Sequence, residues 1–155
     1  MSSNDARLAQ LGYPLDRINP EGRDFAAARV DGDTVYVSGH VPFDGDTLVS
    51  KGKVPSQVSV ADATSAAALC AANALRAARR ALGSLDHISH VVRITGYVNS
   101  DTDFTDQHLV MNGASQLVLD VFGDAGRHAR TALGVAQLPL GSSVEVEMIL
   151  RRRGD

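Results

Sequence analysis

The sequence predicts a single α+β domain in which one sheet carries two helices on the same face, with elements in the order ββαβαββ. Near the start, Asp31-Gly32-Asp33 separates two short strand-like runs, a strong hairpin signal. From Ser59 to Leu82 the chain is dominated by alanine and ends in Arg76, Arg79 and Arg80 before Gly83, which together specify a helix, its cationic last turn and its stop. Towards the end, Val144, Val146, Met148 and Leu150 alternate with Ser143, Glu145, Glu147 and Ile149, as in a half-buried strand. Each helix must bury its apolar stripe, and the valine side of that strand is available to receive it.

The elements follow in order. Met1 to Gly22 is polar and interrupted by Gly12, Pro14, Pro20 and Gly22, so residues 1–22 are expected to form an arm and residues 23–153 the one domain. Phe25 to Val30 and Thr34 to Ser38 are the first two strands. His40 to Pro55 holds two glycines and two prolines, which suits a long loop with at most a short strand near Leu48. After the alanine helix, His90 to Val98 alternates, with Val92, Ile94 and Val98 expected on one side and Arg93, Thr95 and Tyr97 on the other. Asp101 to Asp103 offer capping oxygens to a second helix whose apolar residues Leu109, Leu117, Val118, Val121 and Phe122 lead to Gly123, despite Gly113 inside it. Ala129 to Leu138 and Ser143 to Arg151 then read as a closing hairpin joined by Pro139-Leu140-Gly141.

Composition narrows the function classes. A length of 155 residues supports one hydrophobic core, and 44% hydrophobic with 21% charged residues is ordinary globular usage. The net charge of −3 opposes nucleic-acid binding, and the only basic run, Arg151 to Arg153, reads as a solvated end. Cys70 is the sole cysteine, so no internal disulfide forms and a reducing cytoplasm is expected. No apolar run approaches the roughly 18 residues of a membrane span, and no export signal or membrane partner is expected.

The closing hairpin carries a prediction about assembly. With its turn between Leu140 and Gly141, Glu145 would lie opposite Ala136, and Arg130, Ala132, Gly134 and Ala136 would share the helix-free face with both glutamates. Small residues beside carboxylates on an uncovered face suggest close approach by other subunits. The same register would separate Arg130 from Glu145 by roughly 20 Å, so a site using both would lie between subunits.

The ordered motifs identify a resemblance. Val35-Tyr36-Val37-Ser38-Gly39-His40-Val41-Pro42 is similar to the "V-x-V-S-G-Q-x-P" segment of the RidA (YjgF) family, and Val91 to Phe104 resembles its "V-V-K-x-T-V-Y-x-x-D-x-x-D-F". Arg130-Thr131-Ala132, Leu138-Pro139 and Val144-Glu145-Val146-Glu147 resemble its C-terminal signature, and the match runs in order from about Phe25 to Leu150. Asn112-Gly113-Ala114-Ser115 and Gly126-Arg127-His128-Ala129-Arg130 look like a longer bacterial branch. The resemblance implies a chorismate-mutase-like fold and a homotrimer with clefts between subunits. It also implies hydrolysis of reactive enamine or imine acids to 2-keto acids and ammonia without a cofactor. Family members have also been labelled endoribonuclease L-PSP.

Residue by residue, Arg130 matches the family's substrate-binding arginine, whose planar fork suits a carboxylate, and Glu145 the glutamate that handles water, with Glu147 ranked second. Ser38 matches a serine lining the pocket. Phe25 stands where tyrosine is usual and keeps the aromatic wall without its hydroxyl. Ala132 replaces a frequent cysteine, which removes thiol chemistry there, and leaves its backbone groups. His108 stands at a pocket asparagine and His40 at the glutamine after Ser-Gly.

Other chemistries lack their residues. His87 and His90 have no third ligand at zinc spacing, so no metal is expected, and no phosphate loop or nucleophile elbow is present. Two functions outside deamination stay open: a non-catalytic module in which Arg130 holds a keto or amino acid, and an endoribonuclease. The net charge and the lack of a basic groove oppose the latter.

Overall fold

In the computed structural model, which describes residues 3–17, 19–20 and 24–154, the chain runs α1 (Asn4–Gln10), β1 (Ala28–Asp31), β2 (Thr34–His40), β3 (Phe43–Asp44), β4 (Thr47–Leu48), α2 (Val60–Leu82), β5 (Ile88–Asn99), α3 (Gln107–Phe122), β6 (Ala129–Val135) and β7 (Val144–Arg152). Five strands form one mixed sheet in the order β1-β2-β7-β5-β6, and β3 and β4 make a separate small hairpin. The α+β class and the core ββαβαββ order are as the sequence predicts.

Local signals explain the two large helices. Ser59 Oγ accepts the Asp62 amide at 3.0 Å, and Gly83 at φ 87° ends α2 with its N–H on Arg79 O. α2 packs on β1, β2 and β7 while α3 packs on β5 and β6, so both cover one face. That face is the core: Val35 and Val37 of β2, Val144, Val146, Met148 and Leu150 of β7, and Val91, Ile94 and Val98 of β5 are all buried. Gly113 is explained by the helix crossing. A side chain there would overlap the Thr64 carbonyl oxygen and stand 2.9 Å from its carbon, so only glycine lets α3 approach α2 so closely.

The closing hairpin is not formed. β6 pairs with β5 in parallel, Ile94 opposite Arg130, and β7 lies antiparallel between β2 and β5. The reason is the helix between β5 and β6: a crossover returns the chain to the same end of the sheet, which makes the two strands parallel. β7 then fills the slot beside β2, where both its edges are hydrogen-bonded. Pro139–Gly141 makes a 3-10 turn with Leu140 at φ 60°, rather than a tight hairpin turn.

Four further expectations are corrected. The arm contains α1, capped by Ser3 Oγ on the Ala6 amide at 3.1 Å and anchored by a fully buried Leu8; seven residues with one core side chain leave little periodicity to detect. The expected boundary at Gly22 and Arg23 lies outside the described residues. In β5 a register shift between Val91 and Arg93 turns Val91 inward and leaves Val92 39% exposed. α3 begins at Gln107 after Asp106, without a side-chain cap, and Asp101 accepts the Ser56 amide at 2.8 Å rather than capping the helix. The 40–55 segment holds β3 as well as a strand at Leu48, and its Val54–Pro55 peptide is cis. Among the described residues no helix is long and apolar enough to cross a membrane.

Candidate functional site

β2 is irregular where it meets β7. Val37 pairs with Met148 and His40 with Val146, so one extra residue is accommodated between them at Ser38-Gly39. A bulge re-aims the strand beside it, and here it opens a cavity of about 210 Å³ whose walls include Phe25, Ser38, Gly39, His40 and Glu145. Four of the predicted site residues therefore meet in one place. Ser38 Oγ donates to Ala26 O at 2.7 Å, which leaves its lone pairs for a ligand. His40 Nδ1 lies 2.7 Å from Ser38 O, and since a carbonyl only accepts, that nitrogen carries the proton. Phe25 is 63% exposed at the rim.

Glu145 lies across the bulge. The absent side chain of Gly39 makes its room: a methyl there would stand 2.9 Å from Cδ and overlap Oε1. Burial, and then the Glu147 charge, raise the Glu145 pKa. Among the described residues no donor hydrogen-bonds its carboxylate, so nothing offsets that desolvation. Glu147 shares its face and accepts the Tyr97 hydroxyl at 3.0 Å. Burial is also the main cause of a raised Tyr97 pKa, which keeps the phenol a donor.

Arg130, Ala132 and His108 lie elsewhere. Opposed residues share a face, so Arg130 beside Ile94 and Ala132 beside Gly96 point to the helix side, whereas Glu145 beside Tyr97 points to the open side. The expectation that Arg130, Ala132 and Gly134 join the glutamates is thereby corrected, because parallel pairing with β5 reverses their parity. On β5 the two residues are three positions apart and two strands across, roughly 14 Å between Cα atoms rather than roughly 20 Å along one ladder.

α3 holds the guanidinium. Nη1 donates to Asn112 Oδ1 at 3.0 Å and to Ser115 Oγ at 3.1 Å, and Nη2 to the His108 carbonyl at 3.2 Å. His108 thus contributes its backbone here. Ser115 is itself oriented: His128 Nδ1 lies 2.6 Å from Gly126 O and must donate to it, so in the neutral ring Nε2 accepts the Ser115 hydroxyl at 2.9 Å. Three of the five N–H groups of Arg130 are engaged, and Nε–H with one Nη2–H remain as a side-on fork for a carboxylate. Sequence reasoning missed Gly39, Asn112, Ser115 and His128 as site residues. Only their presence inside the family-like segments signalled them.

No group of three metal-ligating side chains occurs among the described residues. The arrangement can hold a carboxylate on the helix side of the edge strand β6 and keep a desolvated carboxylate in the cavity on the opposite face of the central strand β7.

Comparison with known proteins completes the assignment. Residues 5–150 match the family described as "YjgF/chorismate mutase-like, putative endoribonuclease". Protein TCP17 of Trypanosoma cruzi is 38% identical over 146 residues, 94% of this chain and 91% of that protein. The structure of Atu1372 from Agrobacterium tumefaciens is 40% identical, covers 97% of this chain and 92% of its own, and superposes with a TM-score of 0.89. RidA from the Antarctic bacterium Psychrobacter sp. is 26% identical over 88% of this chain and 94% of its own, with a TM-score of 0.60. With the predicted order of motifs, the mixed sheet and two helices on one face, the chain belongs to the YjgF (RidA) family.

Proposed function

We propose that this protein hydrolyses a small enamine or imine acid to a 2-keto acid and ammonia, in clefts between the subunits of a homotrimer and without a cofactor. The observation that carries the reading is the side-on fork of Arg130, clamped by α3 and left open on one edge. A substrate carboxylate fits that edge. Glu145 of a neighbouring copy supplies the other half, since the two residues point to opposite faces of one chain. The helix-free face offers a surface for assembly: Tyr36 and Leu133 lie on it and are 49% and 46% exposed.

In this reading the carboxylate of Glu145 accepts a proton from water as its oxygen attacks the C=N carbon. Glu145 returns that proton to the nitrogen, giving a carbinolamine, and then takes the proton of its hydroxyl and passes it to the amine; the C–N bond breaks and ammonia leaves as the carbonyl forms. A raised pKa makes Glu145 a better acceptor once ionised, and general base catalysis contributes about 10²- to 10⁴-fold. A reducing cytoplasm suits the buried free Cys70.

Ammonia and keto-acid release from freshly generated 2-iminobutyrate or iminopropionate, above the uncatalysed rate, tests the proposal. Binding of 2-ketobutyrate without any acceleration would support the non-catalytic module instead, which the missing hydroxyl at Phe25 favours.

A further inference from the structure

Away from the Glu145 cavity, a groove of about 600 Å³ runs along α2 between that helix and residues 12–17 and 49–51. Asp62, Ser65, Leu69 and Arg76 line it from one stripe of α2, whose ends are roughly 21 Å apart at ~1.5 Å per residue. Its size is that of a small-molecule site.

Arg76 closes one end and is only 2% exposed. Its Nε donates to Pro14 O at 2.8 Å and its Nη1 to Asn73 Oδ1 at 2.6 Å. The other three N–H groups have no acceptor among the described residues, and none of the ion pairs there includes Arg76. A buried guanidinium without a direct ion pair is costly, and burial followed by the Arg17 charge lowers its pKa against the opposing influence of Asp44, Tyr13 and Asp16. Beside it, burial raises the pKa of Tyr13, which also lines the groove and stays a neutral phenol.

The lining charges set the ligand's charge. Arg17, Lys51 and Arg76 face Asp44 and Asp62, and Arg17 is taken up by Asp44 at 3.2 Å, which leaves one net positive charge. Polyanions are disfavoured by the two carboxylates. Between the charged ends, Val49, Val58 and Leu69 form an apolar wall, with Val49 52% exposed on it.

We propose that this groove is a second ligand site, for a carboxylic acid of single charge with an apolar body, the carboxylate on Arg76 and the body along Val49, Val58 and Leu69. The site stands one hydrogen bond from the Glu145 cavity, since Asn73 also donates to the carbonyls of Val41 and Phe43 in that cavity's wall. It does not rest on the imine chemistry.

The test titrates hexanoate into the full-length protein carrying Arg130→Ala, which removes the arginine proposed to take the substrate carboxylate. Amide NMR should show saturable shifts at Tyr13, Val49 and Leu69, acetate should bind about tenfold more weakly or worse, and hexanol should leave these amides unmoved. Val49→Ser removes an exposed part of the apolar wall without touching the hydrogen bonds of Arg76, and should weaken hexanoate roughly threefold or more while leaving acetate unchanged. Arg76→Lys, confirmed folded by its melting curve, should weaken it similarly by losing the planar fork. Absence of saturation at those amides up to concentrations on the order of 10 mM, equal shifts with hexanol, or unchanged hexanoate affinity in Val49→Ser would each overturn the proposal.

Discussion

Gly39→Ala tests the placement of Glu145 without altering any ionisable group. The new methyl would stand 2.9 Å from Glu145 Cδ and 3.3 Å from Cγ, and would overlap Oε1. Ordinary carbon contacts lie at roughly 3.5–4.0 Å, so the carboxylate must move by roughly 1 Å. Its end is flexible and opens on a cavity, so the displacement costs little stability; Gly39 has no left-handed φ for alanine to strain. Catalysis is less tolerant, since a misplacement of about 1 Å costs on the order of 10²-fold. Imine hydrolysis followed by ammonia release should therefore fall about 100-fold at saturating substrate, while the melting temperature changes by no more than a few degrees. In Glu145→Gln the further Gly39→Ala change should have almost no effect, because the two act through one group. Wild-type turnover in folded Gly39→Ala would refute the placement of Glu145 at the reacting water.

Other outcomes follow from the same geometry. Folding raises the Glu145 pKa, so the folded state binds that proton more tightly and loses stability as pH climbs from the ordinary glutamate range through the raised value. Glu145→Gln should accordingly melt a few degrees higher than wild type at neutral pH, with the gain vanishing below about pH 4, as scanning calorimetry across pH would show. Arg130→Lys keeps a charge but loses the Nε/Nη2 edge, so kcat/KM should drop roughly 10- to 100-fold with the assembly intact by sedimentation, and Arg130→Ala should lose more. If both variants fall apart into monomers in step with activity, Arg130 is an interfacial ion-pair residue instead. Ser115→Ala removes one of three groups clamping Arg130 and should raise KM up to about tenfold with little change in kcat.

Much of the fold was legible because its signals are local. Ser59 and Gly83 bound α2, Asp31-Gly32-Asp33 turns β1 into β2, and the alternation in β7 marks its buried side, each within a few residues of sequence. The site was legible only through resemblance. Phe25, Ser38, His40 and Glu145 are spread over 121 positions and meet around a bulge that no local pattern announces. Gly39 matters for the side chain it lacks, and Ser115 and His128 for a hydrogen-bond chain that exists only when α3 and β6 are side by side.

What the sequence alone determined is therefore the class of fold, its helices and strands, and the family-like residues that carry charge. Tertiary structure decided which strands are neighbours. Period-two alternation fixes the parity of side chains within a strand but says nothing about its partner, and Pro139-Leu140-Gly141 is equally compatible with a hairpin turn or a longer connection. Once β6 pairs in parallel with β5 and β7 enters between β2 and β5, Arg130 and Glu145 fall on opposite faces of one sheet. Pairing is set by how crossover helices and apolar faces pack over the whole chain, a non-local balance that separates two residues proposed to share one chemistry.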